Sequence, residues 1–322
     1  MIQLIALEEH YVSSAVIRAQ KVDRYANFPP HISAKLKTLG ESQLRDLDNG
    51  NVSVQVISHG PGIRPPALCG ASNDVLASAT RESSRTRGFA MLSMNNPATA
   101  AKELERCVRE LTYVGALEDN HVNGEFYDNE RFWPVFQKAE ELDVPMYIHP
   151  SFPTEEHSRH YYGNYNGNNK KFGLALSAFG WEWHSETALS NLKLFASGFF
   201  DRFPKFKIVI GHMGEMIPFQ LERIINTSEG WGLKRGMREV WTQNIWVTTS
   251  GMFAHPPFEC LLRTMDISHV LYSVDYPFSS NETGLAFFEE VQRSGLLSKD
   301  DLQKFAYRNA EDLLGVKAAS VL

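Results

Sequence analysis

Four short stretches of the chain end in side chains able to hold a metal ion or move a proton. They are Glu8-Glu9-His10, Tyr147-Ile148-His149-Pro150, Ile210-Gly211-His212-Met213-Gly214-Glu215 and Ser273-Val274-Asp275-Tyr276-Pro277. Each closes an apolar run, so His, Glu or Asp is delivered just as a buried strand stops. Residues i and i+2 of a strand share a face, which sends Glu8 and His10 one way and turns Glu9 the other. Two imidazoles and two carboxylates make a mixed nitrogen and oxygen set that suits Zn²⁺ or Mn²⁺, with Mg²⁺ less favoured. A single strand-terminal His more often caps or packs than binds metal. Four such endings in matching positions point instead to one shared cavity. The competing reading for Glu8 and Asp275 is a buried salt bridge or a helix cap, but no Lys or Arg stands in the adjoining strand segments to pair with them.

The elements that must position these residues are legible as apolar runs. Ile2–Leu7, Val52–Ser58, Gly88–Ser93, Val114–Leu117, Val144–Ile148, Phe206–Ile210, Ile245–Thr249 and Val270–Val274 read as eight strands. Most lack polar alternation, as parallel strands buried on both faces do. Helical stretches lie between them, among them Asn73–Arg85, Thr99–Glu110, Glu130–Leu142, Glu186–Ser197, Met216–Thr227 and Glu282–Arg293. Eight strands alternating with helices predict an α/β fold, a single (β/α)₈ TIM barrel over residues 1–322, with a doubly wound sheet as the alternative. No linker, charge run or repeat divides the chain. Ser13–Gly50 and Ser151–Trp183 are too long for simple loops. The second, after strand five, gathers Tyr161, Tyr162, Phe172, Phe179, Trp181 and Trp183 around Gly163, Gly167 and the run Asn164 to Asn169. At the C-terminal face of a barrel such a segment reads as a cover over the substrate.

Composition narrows the function classes. The 322 residues are 43% hydrophobic and 22% charged, values of a globular protein rather than a disordered chain. With 32 Lys+Arg against 38 Asp+Glu the formal net charge is −6, so no basic excess advertises nucleic acid or an anionic membrane. The start of the chain has no cationic segment before its apolar run, and no apolar run approaches the roughly 20 residues of a membrane span. Cys69, Cys107 and Cys260 are sparse, without a CxxC pair, and read as ordinary thiols in a reducing compartment. The expectation is a soluble, cytoplasmic protein.

Ile5-Ala6-Leu7-Glu8-Glu9-His10, Tyr147-Ile148-His149-Pro150, Gly211-His212-Met213-Gly214-Glu215 and Ser273-Val274-Asp275-Tyr276-Pro277-Phe278 together resemble the amidohydrolase-2 decarboxylases, relatives of aminocarboxymuconate-semialdehyde decarboxylase. The likeness is greatest to the γ-resorcylate and 2,3-dihydroxybenzoate decarboxylase branch. It runs in register through Phe200-Asp201-Arg202-Phe203-Pro204 and Thr248-Thr249-Ser250-Gly251. The resemblance implies one divalent metal held by Glu8, His10, His149 and Asp275, with His212 and Glu215 as a catalytic pair. It also implies Asp275 as proton donor, Arg223 and Phe278 at the substrate, and a homodimer or homotetramer. The substrate it implies is a small aromatic carboxylic acid of the ortho-hydroxybenzoate type.

Loss of CO₂ from an aromatic acid leaves an electron pair on a ring carbon, so that carbon must be protonated as the bond breaks. A metal chelated by carboxylate and ortho oxygen would fix the ring and withdraw charge. The same residues could instead direct a metal-bound hydroxide at a lactone, ester or amide, and a third reading is an inactive barrel kept as a binding module. The residues leave all three open, and the resemblance selects decarboxylation. Three features depart from the branch, the first a strand-two end, Ser58-His59-Gly60-Pro61, one residue shorter than in the relatives. Ala116-Leu117-Glu118-Asp119 places acids after strand four, where relatives carry Ala-Leu-Val-Asn, and Ser151-Phe152 replaces a basic or polar pair after His149-Pro150. His59, His121, His157, His160 and His184 are loop or strand-end candidates for substrate contact, though each singly reads more readily as a surface or packing histidine.

Overall fold

Each of the eight apolar runs overlaps a strand in the computed structural model, which describes residues 2–19, 28–60, 62, 64–163 and 170–318. The strands are β1 (Leu4–Tyr11), β2 (Val52–His59), β3 (Thr86–Gly88), β4 (Ala116–Asp119), β5 (Met146–His149), β6 (Ile208–Ile210), β7 (Ile245–Thr248) and β8 (Val270–Leu271). They form two parallel sheets, β1-β2-β3 and β4-β5-β6-β7-β8. Parallel bridges Ala90↔Ala116 and Glu9↔Tyr276 join the sheets at both seams, the order of a barrel and not of a doubly wound sheet.

The helices before β5 are α1 (Ser14–Ala19), α2 (Pro30–Leu36), α3 (Glu41–Asn49), α4 (Pro66–Arg81), α5 (Pro97–Glu110) and α6 (Trp133–Glu141). After β5 come α7 (Glu155–Tyr162), α8 (Lys170–Leu176), α9 (Glu182–Ala196) and α10 (Phe199–Arg202). The remainder are α11 (Ile217–Ser228), α12 (Met237–Gln243), α13 (His255–Thr264), α14 (Asn281–Ser294), α15 (Lys299–Gln303) and α16 (Asn309–Leu314). Proline in the first turn opens α4, α5 and α11, where the missing N–H costs nothing. Gly167 and residues 164–169 of the insertion lie outside the described residues.

The strands carry two apolar faces. Ile5, Leu7, Val54, Val56, Phe89, Leu117, Tyr147, Val209 and Leu271 meet inside the barrel, where Ala310, Leu313 and Leu314 of α16 join them. Leu4, Ala6, Val52, Ile208, Ile210 and Val247 pack outward against helix residues such as Leu104, Phe136, Leu221 and Phe258. Strict alternation from Ile5 and Leu7 would aim Glu9 inward. A register shift between Ala6 and Glu9 reverses the parity, a bulge that re-aims Glu8 and His10 toward the cavity. Glu9 then closes the β1–β8 seam, accepting from Val274 N at 3.3 Å and Tyr276 N at 3.2 Å.

Strand bounds differ from expectation where side chains replace the ladder. Of Gly88–Ser93 only Gly88 is β strand, because Met91 N donates to Asn73 Oδ1 and Leu92 N to Glu118 Oε1. β8 stops at Leu271 because Tyr272 N goes to Phe305 O and Ser273 N to Thr249 Oγ1.

Candidate active site

Glu8, His10, His149 and Asp275 converge at the end of the barrel: each offers one ligand atom, and these atoms lie within 4.8 Å of one another. His149 Nε2 is 3.0 Å from Glu8 Oε1, and His10 Nε2 is 3.2 Å from Asp275 Oδ1. His149 Nδ1 donates to Pro150 O at 2.6 Å, which leaves its Nε2 lone pair facing the group. Glu8 Oε1 and His10 Nε2 are buried without a hydrogen-bond partner among the described residues. Orphaned polar atoms aimed at one point are costly unless something answers them, and a dication would. Burial alone would raise the Glu8 carboxyl, but the neighbouring His212, His149 and His10 outweigh it and hold the group well below the usual carboxylate range. The other oxygen, Oε2, accepts from Tyr147 Oη, itself 2.8 Å from Thr248 Oγ1. A Cβ at position 211 would stand 2.8 Å from Glu8 Oε2 and 2.9 Å from Tyr147 Oη, so only glycine leaves room for this support.

The backbone beyond β6 is strained. His212, Met213, Glu215 and Met216 all have positive φ, between 47° and 69°, and Asp275 has φ of 65°. Such conformations in non-glycine residues cluster at functional sites, where surrounding contacts hold them. The coil returns Glu215 to the imidazole three residues back, with His212 Nδ1 2.7 Å from Glu215 Oε1. The second oxygen, Oε2, is 2.8 Å from His184 Nδ1, so one buried carboxylate bridges two histidines. Burial opposes charge on His212, yet Glu215, Glu8 and Asp275 push it up to about 10, an imidazolium at neutral pH. Glu215 is likewise buried, and His212 and His184 hold its carboxyl below the usual range.

These groups open into a cavity of about 520 Å³. His149, His212 and Asp275 face it, walled by Phe28, Phe152, Phe179, Trp183 and Phe278. Phe278 also packs on His10, with ring centroids 5.6 Å apart. Aromatic walls with a few convergent polar groups suit a flat ring bearing oxygen substituents. Phe152, Phe179, Trp183 and His184 come from the segment after β5, which thus walls the cavity.

Arg223 does not join them. It is exposed on α11, whose buried residues are Ile217, Pro218, Leu221 and Ser228, and it does not line the cavity. Glu118 and Asp119 also miss the cavity, lining a separate space of about 20 Å³ with His59 and His121. Glu118 Oε1 accepts from Leu92 N at 2.7 Å, and burial, then Asp119, pushes its carboxyl well above the ordinary range. Lining a different space, Glu118 does not meet a substrate held in the aromatic-walled cavity. His184 and Tyr147 are the site residues that sequence reasoning missed. His184 stands in no regular spacing to His212, whereas Tyr147, two before His149 on one strand, shares its face.

The chain belongs to the amidohydrolase family, whose model matches residues 47–316. It is 44% identical over 324 residues to the decarboxylase orsB of Emericella nidulans, covering 97% of both chains. It is 31% identical to a gamma-resorcylate decarboxylase of Polaromonas, over 96% of this chain and 97% of that one. A solved dihydroxybenzoic acid decarboxylase from Polaromonas, with bound manganese and the inhibitor 2-nitroresorcinol, superposes with a TM-score of 0.86 at 30% identity, covering 98% of this chain and 97% of that one.

Proposed function

We propose that this protein is a metal-dependent, non-oxidative decarboxylase of an ortho-hydroxybenzoate-type acid, built as one barrel domain. The observation that carries the reading is the pair of orphaned atoms, Glu8 Oε1 and His10 Nε2, beside His149 and Asp275 at the base of an aromatic-walled cavity. Glu8, His10, His149 and Asp275 would hold one divalent ion. The manganese in a related enzyme favours Mn²⁺, and the two imidazoles also accept Zn²⁺. The bound ion would anchor the substrate carboxylate and ortho oxygen and draw charge from the ring.

Phe278, Trp183 and Phe152 clamp the ring faces and exclude water. Asp275, at the cavity edge, delivers a proton to the ring carbon bearing the carboxylate. The C–C bond then breaks, CO₂ departs, and its electron pair restores the aromatic sextet. His212, held as a cation by Glu215, stabilises the negative charge of the substrate and steers the proton. Arg223 has no part in this within its own chain.

No described helix is long and apolar enough to cross a membrane, and Cys69, Cys107 and Cys260 are free, consistent with a cytoplasmic enzyme. Tyr161, Phe172, Trp181 and Phe219 are 73%, 50%, 53% and 82% exposed, apolar area that a homodimer or homotetramer would cover. The test is a panel of ortho-hydroxybenzoates assayed for CO₂ release beside lactones, esters and amides assayed for hydrolysis. CO₂ release from at least one acid with no hydrolysis supports the reading, and hydrolysis alone refutes it.

A further inference from the structure

Away from the barrel mouth, a second group of ligand-type side chains meets where the insertion folds against α9. His157 of α7 and Glu182 and Glu186 of α9 each offer one ligand atom, and these atoms lie within 4.8 Å of one another. The two glutamates are four residues apart on one helix and so share a face. His157 Nδ1 reaches across from the other helix to 3.8 Å from Glu186 Oε1. Glu182 is 1% exposed, and among the described residues neither of its carboxylate oxygens has a hydrogen-bond partner. Among the described residues no Lys or Arg lies within ion-pairing distance of either carboxylate. Two orphaned oxygens on a buried side chain demand a counter-charge or a proton.

We infer that His157, Glu182 and Glu186 form a second divalent-cation site, of the Zn²⁺ class, separate from the one at Glu8. One neutral imidazole and two carboxylates carry two negative charges, which a dication balances, and a single His with two oxygens is an ordinary zinc donor set. Contraction of the three atoms around an ion would satisfy Glu182 where the protein itself does not. The alternative answer is a proton: burial, then Glu186, pushes the Glu182 carboxyl up to about 8. The ion would have a structural consequence that the proton lacks, because it ties α7 to α9 across the cover. Trp183, next in sequence to Glu182, packs on Phe152 at 5.2 Å between ring centroids, and both wall the cavity. Zinc binding would therefore hold the aromatic cover in place without touching the reacting atoms.

The test counts metal. Full-length protein is saturated with Zn²⁺, freed of loose ions by gel filtration, and assayed by elemental analysis beside Glu182→Gln and His157→Ala. The inference expects two zinc ions per chain in the parent and one in each variant. His149→Asn, which empties the other site, should also retain one. Zinc should slow protease cleavage within 155–162 in the parent and in His149→Asn, but not in Glu182→Gln. His157→Ala, altering a partly exposed side chain, keeps the test open should Glu182→Gln fold poorly. One zinc per chain in the saturated parent overturns the inference and assigns Glu182 its proton. So does a second zinc that persists in both variants.

Discussion

Glu215→Gln should slow turnover at alkaline pH, by up to about 10²-fold near pH 10, while leaving the metal content intact. The carboxylate sits 2.7 Å from His212 Nδ1 and 2.8 Å from His184 Nδ1. A glutamine in the same place keeps both contacts. Its carbonyl can accept from His212, and its amide can donate to His184, whose own proton then rests on Nε2 facing Phe179 O at 3.1 Å. The substitution thus removes charge and little else. Burial works against a protonated His212, and Glu215 is the largest influence raising it from 6.5 to about 10. Losing that partner should lower the imidazolium's hold on its proton by roughly two pH units, or about 3 kcal/mol, so the protonated fraction falls up to about a hundredfold at pH 10 and above and changes little at neutral pH. His212 would then lose its proton nearer neutrality, so the alkaline limb of the single-turnover profile should move down by roughly two pH units. Single-turnover CO₂ release from pH 6 to 10, with metal counted in each sample, measures this. An unchanged rate and alkaline limb at full metal occupancy would refute the role given to the pair.

Three further outcomes are expected. His149→Asn should lose metal and turnover together on dialysis, and retained metal would remove His149 from the ligand set. Tyr147→Phe frees Glu8 Oε2 and should weaken metal affinity about 10–100-fold by chelator competition, with unchanged affinity contradicting the support assigned to the phenol. His59 is buried with neither nitrogen partnered among the described residues, and burial, then the Arg64 charge, depresses it from 6.5 to about 3. The unfolded chain therefore takes up this proton first as the pH falls. The stability tied to a neutral His59 is present above about pH 6.5 and is lost progressively toward pH 3, by up to roughly 4 kcal/mol. Urea unfolding of the parent and His59→Leu at pH 7 and pH 4 checks this, since the variant should show the smaller drop.

Much of the barrel was readable because buried parallel strands are continuous apolar runs, and all eight were placed. Their ends were less legible. Where Asn73, Glu118, Thr249 and Glu9 take backbone N–H groups, an apolar run continues but the ladder does not. Glu8 and His10 were paired correctly by two-residue spacing, yet their inward direction depends on a bulge that apolar alternation does not encode. Glu215 was reachable because it lies one turn from His212. His184 was not, since only the fold brings it to the second oxygen of Glu215. Arg223 was carried by resemblance alone, and the exposed face of α11 takes it away from the cavity.

The central claim is that a proton replaces the carboxylate on a ring carbon at this site. It is tested most directly by running the metal-loaded enzyme in D₂O with an ortho-hydroxybenzoate carrying ¹³C in its carboxyl group, followed by NMR. The account predicts one labelled CO₂ or bicarbonate released per product molecule, with one deuterium at the vacated ring carbon, and loss of both signals in His149→Asn. A labelled carboxyl that stays on the ring across the acid panel while a lactone or ester is hydrolysed would contradict it.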